Sequence, residues 1–194
     1  MRYSAQHKAK THERLITKAA ERLRGKGIGG AGIARLMSEL GLTHGGFYGH
    51  FANKDDLVAA ATNRMLGEGM ARMKSVVEAA PAGQKVAAIV NGYLSKEHRD
   101  HPEQGCLLST LAAEIARQPR AVRQAYTRGF NGQIKAMAEY MPGADEQERC
   151  ERARLLLGGM AGSMMLARSV SDRRLSDRIL EQARRFYIST FEEI

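Results

Sequence analysis

Apolar residues recur along this chain with the 3.6-residue period of helices that bury one face. Leu15, Ile16, Ala19, Ala20 and Leu23 form a first stripe, and Gly25-Lys26-Gly27 closes it with the glycine that helix ends favour. Ile33, Leu36, Met37 and Leu40 repeat at i, i+3, i+4 and i+7, which predicts a second short helix stopped by Gly41. Thr43 suits the N-cap of a short third helix, with Phe47 and Phe51 four apart on its inner side. Asn53 then caps a longer helix. Asp55 and Asp56 occupy its first turn, where the macrodipole favours anions, and Leu57, Val58, Ala61 and Met65 continue its buried side.

Pro81, Pro102, Pro119 and Pro142 punctuate the remainder, and helix-length segments lie at 83–98, 105–117, 120–140, 146–170 and 173–191. No stretch alternates with period two for long enough to predict a sheet. The expected fold class is all-α, with a three-helix unit over residues 9–52 and a larger bundle after it. A chain of 194 residues, 43% of them hydrophobic, can bury such a core. No apolar run nears the roughly 18–20 residues of a membrane span. The start, Met1-Arg2-Tyr3-Ser4, leads into a charged segment instead of an apolar signal core. Cys106 and Cys150 are too few for a disulfide framework. A cytoplasmic protein without a membrane partner is expected.

Charge sharpens this picture. Residues 1–54 carry ten Lys or Arg against three acids, whereas residues 55–194 hold twenty against eighteen. A concentrated basic end suits a polyanion, because each cation at a phosphate releases counterions; a solvated face is the alternative. Three helices with a glycine turn between the second and third describe a helix-turn-helix, whose third helix enters the major groove. The outer side of that helix carries His44, Gly45, Gly46, Tyr48, Gly49 and His50, and small residues there let the backbone approach phosphates or base edges. A helical module that binds an acidic protein and no DNA remains the alternative, and competition by duplex DNA separates the two. No P-loop, Gly-x-Ser-x-Gly elbow, His-Glu-x-x-His or dinucleotide fingerprint is present, so neither catalytic residues nor cofactors are assigned and an enzyme is not expected.

Thr11-His12-Glu13-Arg14-Leu15-Ile16 and the string from Gly41 to Leu57 resemble the amino-terminal domain of the TetR family of transcriptional regulators. The most specific part is Phe47-Tyr48-Gly49-His50-Phe51-Ala52-Asn53-Lys54-Asp55-Asp56-Leu57. The resemblance implies a DNA-binding domain over residues 9–69 and an effector-binding and dimerisation domain over 70–194. It further implies a homodimeric repressor released from a palindromic double-stranded operator by a small-molecule or electrophilic inducer. Matched residue by residue, the DNA contacts are Arg35, Thr43, His44, Gly45, Gly46, Tyr48, His50 and Lys54, with His44 and Gly46 toward bases and Tyr48, His50 and Lys54 toward phosphates. Four positions depart from the family pattern. Ala31-Gly32 stand where a hydroxyl often caps the second helix, Ala34 replaces a basic or polar residue, and Gly49 replaces an aromatic one.

The later helices would enclose the effector, with Met70, Met73, Val90, Tyr93, Leu94, Cys106, Leu108, Leu111, Tyr126, Phe130 and Met164 as expected lining; the same spacing also describes plain core. The last two helices are the expected dimer surface. There Gly158, Ala161 and Gly162 would permit close approach, and Leu175, Ile179, Leu180 and Phe186 would supply apolar area, with intrachain packing as the alternative. Cys106 follows Gly105 at an expected helix start, near His98, Arg99 and His101. Those cations and the helix end would favour a thiolate able to sense electrophiles or oxidants. Otherwise Cys106 is a small core residue. His98, His101 and Cys106 lack a fourth ligand at convincing spacing, so no metal is assigned.

Overall fold

The computed structural model describes residues 5–30 and 32–192, with the side chain of Glu192 left aside. Arg2 of the basic end and Ala31 of the uncapped helix start lie outside the described residues. Among the described residues the fold is all-helical: α1 (Ala5–Lys26), α2 (Ile33–Glu39), a 3-10 helix (His44–Gly49), α3 (Lys54–Glu78), α4 (Lys85–Tyr93), α5 (Lys96–Asp100), a 3-10 turn (Pro102–Gln104), α6 (Leu108–Ile115), α7 (Arg120–Ala138), α8 (Glu146–Ser169) and α9 (Arg173–Glu192).

Local chemistry sets most of the ends. Gly27, at φ 73°, turns the chain out of α1 and donates to the Leu23 carbonyl at 2.9 Å. The Thr43 hydroxyl accepts from the Gly46 N–H, and Asn53 accepts from Asp56 at 2.9 Å. Asp145 caps α8 through the Glu148 N–H, while Glu148 reaches back to the Ala144 N–H, a reciprocal cap. Gly32 gives α2 no side-chain cap, as its lack of a hydroxyl requires.

Three expectations change. The segment 83–98 is two helices, because the Ser95 hydroxyl accepts from the His98 N–H and starts α5 afresh. The segment 105–117 becomes helical only at Leu108. The third helix is a 3-10 turn, which three glycines in six residues favour over a continuous α-helix.

Helix α3 packs along α1 on one side and α7 on the other, and α8 lies between α7 and α9. Phe47, Leu15, Leu23, Met65, Leu111 and Leu156 are fully buried in one continuous apolar core. Gly159 brings α8 close to α9: a Cβ there would collide with the Tyr187 hydroxyl. The turn at 102–104 and α6 rest on α1, so the amino-terminal unit touches the larger bundle there. No helix among the described residues is long and apolar enough to cross a membrane.

Candidate nucleic-acid interface and effector cavity

Phe47 fixes the 3-10 helix by burying its ring against Phe51, 5.7 Å away, which leaves the opposite side in solvent. Thr43, His44, Gly45, Gly46, Tyr48 and Gly49 are exposed there, Tyr48 by 60%. Arg35 on α2 is exposed beside them and pairs loosely with Glu39 at 3.4 Å. A Cβ at Gly45 or Gly49 would meet nothing within 4 Å, so both present bare backbone to solvent. This face combines hydroxyls, an imidazole, a guanidinium and free backbone, a set suited to phosphates and base edges.

Two expected contacts sit differently. His50 is half-buried, with its ring 6.0 Å from that of His12 and its Nδ1 buried without a partner. Burial first, then the neighbouring His12 and Lys8, lower its pKa, so it is uncharged at neutral pH. Lys54 turns inward and donates from Nζ to the Ile28 carbonyl at 3.1 Å. The same residue's N–H donates to Glu114 of α6 at 2.7 Å. Ile28, in the loop between α1 and α2, is thus held by α3 and α6 at once. Sequence reasoning missed Glu114, which no local pattern links to residue 28.

A cavity of about 170 Å³ opens between α3, α4, α7 and α8. Met70, Met73, Tyr93 and Cys106 line it as expected, joined by Arg72, His98, Gln133, Met137 and Met160. Leu111, Tyr126, Phe130 and Met164 do not line it. Leu111 and Met164 are core residues, and Tyr126 and Phe130 stack on each other at 5.8 Å. Gln133 had a signal: it is the polar residue in the row Val122, Ala125, Gln133, Met137 on the buried side of α7.

The helpers expected around Cys106 do not serve it. The His98 Nδ1–H donates to the Tyr93 carbonyl at 2.6 Å, and Nε2 accepts from the Cys106 N–H at 2.9 Å, so the ring is a neutral strut. Burial is the main cause that lowers its pKa to about 4. Arg99 points away to Asp100, Ser176 and Asp177, and His101 lies at the surface beside Glu97 and Glu103. Cys106 also precedes Leu107, the cap of α6, and its carbonyl accepts from Ser109 and Thr110. Among the described residues no group of three or more His, Cys, Asp or Glu could hold a metal ion.

Because His98 is neutral in the fold and titrates near 6.5 when unfolded, acid protonates the unfolded chain first. Its stabilising contribution is complete above pH 6.5 and is lost as pH falls toward 4. Unfolding free energy should therefore drop by up to about 1.4 kcal/mol per pH unit in that window. Chemical denaturation from pH 7 to 4.5 checks this, and a His98→Phe variant should lack that part of the slope.

On the far side, Gly158 and Gly162 have open space above them, and Leu175 and Phe186 are exposed, Phe186 by 60%. Ala161 faces the core instead, and Ile179 packs against it half-buried. Leu155 at 69% and Leu166 at 62% extend the free face of α8; their spacing from Gly158 and Gly162 could have marked them.

A small helix-turn-helix on a basic end, seated on a helical body with its own cavity, is the architecture of helix-turn-helix DNA-binding regulators. Residues 15–61 match the family described as bacterial regulatory proteins, tetR family. The match places an amino-terminal domain of the TetR family of transcriptional regulators in this chain. The family is one of regulators, not enzymes. A curated relative, the uncharacterized HTH-type transcriptional regulator YerO of Bacillus subtilis (strain 168), is 31% identical over 100 residues, which make up 50% of this chain. The chain spans about a third of that relative's length, 35%. A TetR-family regulator from Cytophaga hutchinsonii has the same fold, with a TM-score of 0.77, 19% identity, and coverage of 96% of this chain and 97% of that one. The reduced form of Escherichia coli NemR matches with a TM-score of 0.76 at 19% identity, covering 93% of this chain and 97% of that one.

Proposed function

We propose that this protein is a cytoplasmic repressor that binds a palindromic operator as a homodimer and leaves it when its cavity is filled or Cys106 is modified. The exposed face of residues 43–49, beside Arg35, carries this reading: it is a polar surface anchored from beneath by the buried Phe47 and open to solvent on its outer side. Residues 9–69 act as the DNA-binding unit and 70–194 as the effector and dimer unit, with α3 running through both. The bare face of α8 and α9, with Leu155, Leu166 and Phe186 around two open glycines, supports a dimer, since apolar area of this kind gains most by meeting a copy of itself. Two-fold symmetry sets the recognition turns about 34–36 Å apart, or a multiple, to reach successive major grooves.

Helix α6 supports a route from cavity to DNA. Cys106 borders the cavity just before this helix, and Glu114 near its other end grips the Ile28 N–H. A wall displaced by an inducer would move α6, and with it the loop that leads into α2. Lys54 donates to the Ile28 carbonyl of that loop, so the same movement would also shift the start of α3.

Gel retardation on the gene's own upstream region tests the reading, with salt and then N-ethylmaleimide as variables. The Cys106 sulfur adds across the maleimide double bond, forming one S–C bond while the thiol proton goes to the neighbouring carbon. Retardation should weaken with salt and be reversed by the reagent, whereas Cys106→Ser should stay bound in its presence. Equal release in that variant would return Cys106 to the core and leave the repressor standing. Absence of any retardation at low salt would overturn the DNA-binding reading.

A further inference from the structure

The cavity wall contains two polar atoms that the protein itself leaves without a partner. Gln133 is 93% buried by the measure of its 7% exposure, and its Nε2 donates to the Leu66 carbonyl at 3.2 Å. That bond orients the amide, since the reverse would set oxygen against oxygen, and it leaves Oε1 buried without a hydrogen bond. Gly69 makes room for this arrangement: a Cβ there would stand 2.9 Å from Nε2. The Tyr93 hydroxyl is the second atom. It is fully buried, and although Cys106 and Ser109 lie beside it, neither reaches hydrogen-bonding geometry. Burial and then Cys106 push its pKa well up, so it remains a donor. Buried groups of this kind are normally paired, and both of these residues line the same cavity.

We propose that the cavity binds a small neutral hydroxyaromatic molecule, a phenol in chemical class, which donates a hydrogen bond to Gln133 Oε1 and accepts one from the Tyr93 hydroxyl. The size fits one substituted ring, because an apolar cavity of about 150 Å³ takes benzene, and this one is about 170 Å³. Met70, Met73, Met137 and Met160 supply flexible thioethers that pack well against aromatic edges. Arg72 is the charged side chain of the wall, no acid lines it, and His98 is neutral, so a cationic ligand finds no counter-ion there. A ketone or ether would serve Tyr93 but leave Gln133 Oε1 unpaired. A hydrocarbon would leave both unpaired. A hydroxyl is the simplest group that both donates and accepts.

The inference rests on the cavity being the effector site only for its consequence on DNA; binding itself is measured without DNA. Titration calorimetry of the full chain compares p-cresol, 4-methylanisole and p-xylene, which differ chiefly in the polar group. p-Cresol should bind at least about tenfold more tightly than either of the others. Gln133→Met and Tyr93→Phe should each cut that preference to about threefold or less while p-xylene binding persists, which shows the cavity intact. Equal affinities for the three compounds, a p-cresol preference untouched by both substitutions, or no binding of any of them would overturn the proposal. Binding of p-cresol that leaves the operator complex unchanged would uphold the ligand class and count against the effector reading alone.

Discussion

Gly45→Glu should abolish operator binding and leave the fold untouched. A Cβ at position 45 meets nothing within 4 Å, so the new side chain points into solvent from the exposed turn. Replacing glycine in a helical turn also removes up to about 1 kcal/mol of backbone entropy cost, so the melting temperature should hold or rise slightly. At the operator the same carboxylate would face phosphates at short range while filling the space that lets backbone approach the groove. A loss of at least about 100-fold at low salt is expected, because an added anion repels the phosphates and blocks neighbouring contacts. Gel retardation and a melting curve on the same preparation read both effects. Undiminished retardation would mean that another surface meets the DNA, and the basic outer side of α1 would become the next candidate.

Glu114→Leu should separate ligand binding from DNA release. The wild-type carboxylate accepts from the Ile28 N–H at 2.7 Å across 86 residues of sequence, and it lies close enough to Gly27 that a Cβ there would come within 2.6 Å of it. Leucine keeps bulk but removes the acceptor, so α6 can move without drawing the loop. Couplings between sites usually change affinity by about 5–150-fold. In this variant the inducer's effect on operator affinity should fall below about twofold, with inducer binding retained. Glu114→Gln still offers an oxygen and should keep most of the effect. A leucine variant that responds like the wild type would show that the signal travels elsewhere, along α3 for instance.

Both predictions concern residues whose importance the linear sequence shows unequally. Gly45 sits inside a string legible from local signals: the Thr43 cap, the Phe47 and Phe51 anchors, and the Asn53 cap all recur in the structure as read. Those signals act over four residues or fewer, the range of a helical turn, so the sequence carries them whole. Arg168 illustrates the opposite case. It donates to the carbonyls of His98, Arg99 and Ser109 and so ties the 98–109 segment to α8, partners too distant in sequence for any local pattern to name.

The chain's own pattern therefore determined the all-helical class, the helix-turn-helix with its basic surround, and the family to which that unit belongs. Tertiary structure decided which side chains share the cavity, that His98 is a neutral strut, that His50 and Lys54 turn partly inward, and that Ala161 faces the core while Leu155 and Leu166 do not. The physical division is one of range. Caps and apolar periods are satisfied within a turn or two, whereas orphaned polar atoms, buried pKa shifts and the Glu114–Ile28 bond exist only once helices distant in sequence have packed.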